Sequence, residues 1–414
     1  MEQENEFLPE LVVELEHNPA LNKKLKDKFD YKGVELITFA HALHDTYASW
    51  LAALLPLLIE KFSLTNTMAG ALSMVYTLPS VLQPAIGYLA DRKNLRWLIV
   101  LAPAITSLVM SSLGIIPSYA LLVPLLLIAG LSSSGLHSVG PGVTSHFSGK
   151  RIGKGMSFWM IGGELGYSLG PLLVMTIVGV IGLRRLPLMA IGGLLVSVFL
   201  FFATRNVDTR GENKTPKVNK TAFLSGIKMV MVPMALLLIT RALMSVMLST
   251  FMPTFLRSQG ASLIFAGAGM AVAGSAGAVG SYIAGSLSDK IGRRKILFAS
   301  IILTPICMLL FLNTQGWVKI PMLILCGFFG LSLLPVMIAT IMEFFPEDRS
   351  FANGIFMALN FIIQALAAVV AGRIADAKGM AFTFMVAALA LPFGLLALLM
   401  MPKDKKINAD EQEL

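Results

Sequence analysis

The sequence predicts an all-α integral membrane protein of twelve transmembrane helices, built as two pseudo-symmetric six-helix bundles. Three observations predict it. The chain of 414 residues is 56% hydrophobic and only 14% charged, whereas a soluble globular chain carries about 25% charged residues. Apolar runs of about 20 residues alternate with short polar turns, and each run is long enough to span a bilayer. A basic turn also occurs twice. Gly285 to Lys295 reads GSLSDKIGRRK between two apolar runs, and Gly87 to Arg96 reads GYLADRKNLR between two others, with the paired glycines 198 residues apart. Lipid supplies no hydrogen bonds, so each span closes its backbone bonds within itself as a helix.

Taken in order, residues 1–33 are polar and charged with no apolar core, which predicts a cytoplasmic N-terminal extension rather than a signal peptide. The mixed charges of Pro9 to Lys28 suit a solvated extension or a helix lying on a surface. A first bundle is expected over 34–204, with spans near 34–60, 67–90, 96–115, 119–146, 155–180 and 186–204. The polar, Lys/Asn/Thr-rich stretch 205–227 reads as a cytoplasmic linker. A second bundle follows over 228–401, with spans near 228–256, 262–287, 295–313, 318–343, 352–375 and 380–401, and a cytoplasmic tail at 402–414. Cys307 and Cys326 fall in apolar spans and read as packing residues. No spacing of Cys or His suggests a metal site, and no cofactor motif is present.

Lys and Arg set the orientation. Arg92, Lys93, Arg96, Lys150, Arg151, Lys154, the linker bases, Lys290 to Lys295 and Lys403 to Lys406 all fall on one side. The opposite loops hold few bases, so both termini are expected in the cytoplasm. The net charge of +9 is therefore topological and does not point to nucleic acid. The halves repeat beyond the turns: Pro56 and Pro253, and Gly70 and Gly267, are each 197 residues apart. Transporters with such repeats bind cargo near the midplane between the halves.

Ionisable groups within spans are costly and mark a pathway. The first span carries His41, His44 and Asp45, and His41 and Asp45 share a face. The seventh carries Arg241, 196 residues after Asp45, so the repeat puts opposite charges at matched places. A pairing of Asp45 with Arg241 is expected whenever Asp45 is ionised. A buried guanidinium also suits an anionic cargo held at two points. Glu164 lies near mid-depth in the fifth span, among glycines and before Gly170 and Pro171, which bends the helix. His137, Tyr47, Asn360 and Gln364 complete the expected substrate-binding set, the two amides being equally suited to gluing helices.

The complete turn, Gly285-x-Leu287-x-Asp289-Lys290-x-Gly292-Arg293-Arg294, resembles the cytoplasmic loop signature of the major facilitator superfamily. The first copy keeps Gly87, Leu89, Asp91 and Arg92, but Asn94 and Leu95 replace the Gly-Arg pair. Within that superfamily, His41, His44, Asp45, Tyr47, Gln83, Pro84, His137, Gly162, Gly163, Gly170, Pro171 and Arg241 together resemble the fosmidomycin-resistance group of drug exporters. His137 is followed here by Ser138 and Val139, where that group has proline and an acid.

The resemblance implies proton-coupled efflux of a small anionic or amphipathic compound across a bacterial inner membrane, by a monomer in contact with lipid. Asp45 or Glu164 would exchange the proton, His41 and His44 would tune or relay it, and Arg241 would hold the anion. Gly87, Asp91, Arg92, Gly285, Asp289, Arg293, Arg294, Gly170 and Pro171 would gate, with Asp91 and Asp289 latching onto facing helix N-termini. A proton-independent facilitator, a lipid flippase and a membrane-embedded enzyme remain as alternatives. The enzyme reading lacks a nucleophile or metal signature.

Overall fold

The computed structural model describes residues 29–205, 207–209, 227–345 and 349–401. The expected extension as far as residue 28, most of the linker and the tail lie outside the described residues. Among the described residues the chain is helical, without strands. The elements are α1 (Tyr31–Phe62), α2 (Asn66–Thr77 continuing to Gln83–Ala90), α3 (Arg96–Ser112), α4 (Tyr119–Ser148), α5 (Ile152–Ile181) and α6 (Leu183–Ala203). The second set is α7 (Met229–Ser258), α8 (Leu263–Ile291), α9 (Arg293–Asn313), α10 (Gly316–Phe344), α11 (Phe351–Lys378) and α12 (Met380–Met400). Ten are long and apolar enough to cross a membrane. The other two have local causes: α3 has 17 residues, and α2 is interrupted by a 3₁₀ turn at Leu78–Leu82. Pro79 lies within that turn and Pro84 just after it, and a proline cannot donate to the helical ladder.

The outward faces are apolar. Val180 and Leu399 are 78% and 75% exposed, as a lipid-facing surface requires and a water-facing one avoids. Inside, α1 lies along α5 at glycine spacing. A Cβ at Gly162, Gly166 or Gly170 would collide with the backbone of Thr38, Ala42 or Thr46, so the four-residue step on α5 matches one on α1. Backbone cannot move aside as a side-chain tip can. Gly166→Val is therefore expected to cost about 1–3 kcal/mol, read as a lower melting temperature and yield in detergent.

Between the bundles, contact concentrates at the pole opposite the basic turns. Gly70 on α2 meets the Ala368 carbonyl on α11, Gly372 on α11 meets the Asn66 carbonyl, and Gly267 on α8 meets the Pro171 carbonyl on α5. The last turns of α1 and α7 also touch. At the basic pole, Gly87, Gly142, Gly153 and Gly285 have nothing within 4 Å of a Cβ position. Nearer that pole, a Cβ at Gly354 on α11 would meet Pro84 on α2 at ordinary van der Waals distance, 3.5 Å, rather than in the tight backbone approach seen at the other pole.

The two basic turns do related jobs. The α2–α3 turn holds the segment after α6: Asn94 Nδ2 donates to the Val207 carbonyl at 3.3 Å, and the Leu95 amide donates to Thr209 Oγ1 at 2.8 Å. The residues that break the loop signature in the first copy are the ones used there. In the complete copy, Arg294 donates to the Met401 carbonyl at the end of α12. Among the described residues the expected latch is not engaged in this conformation. Asp289 pairs with Arg293 of its own turn, and Arg293 reaches Glu343 of the same bundle at 3.5 Å. Asp91 is exposed at the end of α2, and Arg92 folds back over the Tyr88 ring at 3.5 Å.

Candidate transport site

Two groups of polar residues sit within the helices. The first joins α1 to α4 and α5. His41 and Asp45 are one turn apart on α1, and His41 Nε2 lies 3.1 Å from Asp45 Oδ2. His137 on α4 brings Nε2 to 3.4 Å from the other carboxylate oxygen, and His44 Nε2 is 4.0 Å from it. The His41 ring stacks on Trp159 with centroids 3.7 Å apart, and its Nδ1 is 2.9 Å from the Trp159 carbonyl. Gly163 makes room for this ring, since a Cβ there would strike it. His44 is fully buried and Asp45 nearly so, while the His137 side chain is 31% exposed. Tyr47 takes no part: its hydroxyl donates to the Met189 carbonyl, tying α1 to the start of α6.

The second group lines a cavity of about 290 Å³ between the bundles. Glu164, Tyr167 and Ser168 come from α5, Arg241, Ser245 and Ser249 from α7, and Gln364 from α11. Small residues of α8, among them Gly274, Gly277 and Ser281, and the apolar Leu331, Leu334 and Pro335 of α10 form much of the remaining wall. Arg241 is 3% exposed and its Nη1 donates to Asn360 Oδ1 at 3.3 Å. One turn further along both helices, Gln364 Nε2 donates to Ser245 Oγ at 2.9 Å. The two amides thus join α11 to α7, and Gln364 also reaches the cavity. Among the described residues, no carboxylate lies within 4.0 Å of the Arg241 guanidinium, and its Nε has no hydrogen-bond partner.

The structure therefore separates two charges expected together. Arg241 faces the cavity with Asn360, and Asp45 is enclosed by three histidines within its own bundle. Matched positions in a sequence repeat put residues at similar depth, but side-chain direction depends on how each helix is rotated, which the repeat offset does not determine. Gly170 and Pro171 sit on opposite contacts of α5, one against α1 and one against α8. One polar residue escaped the sequence reading. Asp376, in the last turn of α11, accepts from the Asn66 amide (2.7 Å) and Nδ2 (2.9 Å), and from the Thr67 amide (2.9 Å) and Oγ1 (2.6 Å). It caps α2 from the other bundle. The available signal was a single acid at a helix end, which looks the same as a solvated one.

Comparison with known proteins agrees with this architecture. The family model of the Major Facilitator Superfamily matches residues 37–281 and again 234–413. The two matches begin at 37 and 234, 197 residues apart, the same offset as the proline and glycine landmarks. The fosmidomycin resistance protein of Escherichia coli (strain K12) is 25% identical over 386 residues, covering 92% of this chain and 94% of that one. The MFS-type transporter YfnC of Bacillus subtilis (strain 168) is 23% identical over 390 residues, covering 90% and 93%. Among solved structures, a bacterial homologue of the human lysosomal transporter Spinster, inward-facing and unoccupied, superposes with a TM-score of 0.74 at 15% identity, covering 90% and 98%. A D-xylose–proton symporter gives 0.73 at 16% identity, covering 91% and 99%. With a family match along nearly the whole sequence, a two-bundle helical fold and a polar cavity between the bundles, the chain belongs to the Major Facilitator Superfamily of multi-pass membrane transporters.

Proposed function

We propose that this transporter exports small anionic or amphipathic compounds from the cytoplasm in exchange for protons, by alternating access. One observation carries the reading: Arg241 is a buried cation with no carboxylate partner among the described residues, in the wall of the cavity between the bundles. Keeping a bare charge at membrane depth costs several kcal/mol. An anionic cargo supplies the missing counter-charge, and the guanidinium fork holds a carboxylate or phosphonate at two points. The serines and Gln364 add hydrogen bonds, and the α10 wall receives an apolar body.

We assign the exchangeable proton to Glu164. It lines the same cavity as Arg241, whereas Asp45 is enclosed by histidines. An ionised Glu164 competes with the cargo for Arg241, and a protonated one releases Arg241 to it. Cargo and proton then alternate, which is what exchange requires. The likeness to the fosmidomycin resistance protein favours export. The Lys/Arg bias favours cytoplasmic termini, so the tightly packed pole opposite the basic turns would face outward.

The test is uptake into proteoliposomes with and without an imposed pH gradient, using an anionic ligand found by thermal shift. Bound ligand raises the melting temperature by mass action. Glu164→Gln is expected to retain binding and equilibrative exchange but to lose pH-driven accumulation. Accumulation unaffected by Glu164→Gln would remove this residue from coupling, and uptake indifferent to the gradient would favour a facilitator. For orientation, a cysteine placed in the 205–227 linker is expected to resist an impermeant thiol reagent added to intact cells.

A further inference from the structure

We infer that His41, Asp45 and His137 form a binding site for a divalent first-row metal ion of the zinc class. The first observation is the hydrogen-bond state of His41. Its Nδ1 is 2.9 Å from the Trp159 carbonyl, and a carbonyl only accepts, so Nδ1 carries the proton. In the neutral ring, Nε2 therefore presents a lone pair. Asp45 Oδ2 lies 3.1 Å from that nitrogen without hydrogen-bond geometry, two acceptors close together in a buried place. His41 Nε2 and Asp45 Oδ1 both lack a hydrogen-bond partner. Something positive belongs between them.

The second observation is the shape of the set. The three ligand atoms lie within 4.8 Å of one another. The Nε2–carboxylate separations are 3.1 Å for His41 and 3.4 Å for His137. Tetrahedral bonds of about 2.1 Å to nitrogen and oxygen give ligand–ligand edges of about 3.4 Å. The two nitrogen–carboxylate separations match that edge, and the wider span of up to 4.8 Å would close by a side-chain adjustment for one ion to reach all three atoms. One proton serves the His41–Asp45 pair alone and leaves His137 facing the second oxygen at a distance too long for a strong hydrogen bond.

The third observation is the surrounding support. A metal-bound imidazole characteristically donates its other ring N–H to a carbonyl or carboxylate, which fixes its tautomer and direction. Trp159 does this for His41 through its carbonyl and stacks its indole on the same ring. Gly163 clears the space beside it. Two imidazoles and one carboxylate suit zinc-class ions rather than magnesium or calcium, which prefer all-oxygen sets. The exposed flank of His137 gives an ion a way in and leaves a coordination position for water. The ion would tie α1 to α4 within the first bundle.

The experiment uses the full-length protein purified in detergent without a polyhistidine tag, stripped with chelator and titrated with Co²⁺. The expected result is uptake of one ion per chain, visible absorption bands of a four- or five-coordinate site, loss of those bands on adding Zn²⁺, and a higher melting temperature. His137→Ala, on the partly exposed ligand, is expected to abolish uptake, and His146→Ala to leave it unchanged. His137→Cys is expected to restore it with a new sulfur-to-cobalt charge-transfer band. Absence of stoichiometric uptake by the folded wild-type protein overturns the site and leaves the cluster to protons. Uptake that survives in His137→Ala, or a His137→Cys variant without the charge-transfer band, places the ion elsewhere and also overturns it.

Discussion

Arg241→Ala is expected to weaken binding of an anionic cargo by at least about 30-fold, since breaking a buried, hydrogen-bonded charge pair costs about 2–5 kcal/mol. The effect has two sources. The variant loses the two-point fork on the cargo, and it leaves the Asn360 carbonyl oxygen without the Nη1 donor now at 3.3 Å. Arg241→Lys keeps the charge but not the fork, so it is expected to recover only part of the affinity. Neutral analogues of the same cargo separate the two sources, because their binding should fall far less than that of the anion. The measurement is affinity by calorimetry or thermal shift, after the melting temperature of each variant shows that it is folded. Equal losses for charged and neutral ligands would make Arg241 a packing residue of the α7–α11 contact.

Asp376→Asn is expected to shift the conformational balance away from the form closed at the pole opposite the basic turns. The carboxylate accepts four hydrogen bonds from Asn66 and Thr67, two of them from backbone amides at the first turn of α2. An acid at that place also meets the positive end of the helix dipole. All of these bonds cross between bundles, so they break when that pole opens. An asparagine supplies one oxygen and turns an NH₂ towards the remaining donors. Asp376 is exposed, so the bonds are worth little individually, and a combined loss of about 1–2 kcal/mol corresponds to a 5–30-fold shift. Spin labels on either side of the α2–α11 contact, read as distance distributions, give the populations directly. Unchanged distributions would make the capping incidental. At the other pole, Asp289 pairs among the described residues within its own bundle, so Asp289→Asn is expected to leave the closed-pole contacts as they are and to slow turnover.

Much of the fold was legible because lipid makes strong demands. Long apolar runs, basic turns on one side and repeated landmarks such as Pro56/Pro253 need no tertiary information to be read. The span ends were less legible. α2 was read as one continuous run, yet the 3₁₀ turn at Leu78–Leu82 divides it. Pro79 and Pro84 announce the interruption but not whether the helix kinks or recovers. Arg241 and Glu164 were legible as residues too costly to keep at depth without a use. Their presence on one cavity was not, because α5 and α7 belong to different bundles.

By itself, the sequence determined the class of the protein, its division into repeated helices and the small set of ionisable residues at membrane depth. Those follow from hydropathy and from the cost of burying charge, which act residue by residue. Only the tertiary structure decided partners. It turned Asp45 towards His41, His44 and His137 rather than Arg241, gave Arg241 to Asn360, and used Asn94 to hold the segment after α6. It also brought His137 of α4 against the α1 pair, assembling a ligand set that no spacing along one helix displays. The physical reason is that hydropathy fixes depth in the membrane, whereas the rotation of each helix about its own axis is fixed by packing, here by glycine steps such as Gly162, Gly166 and Gly170 against α1.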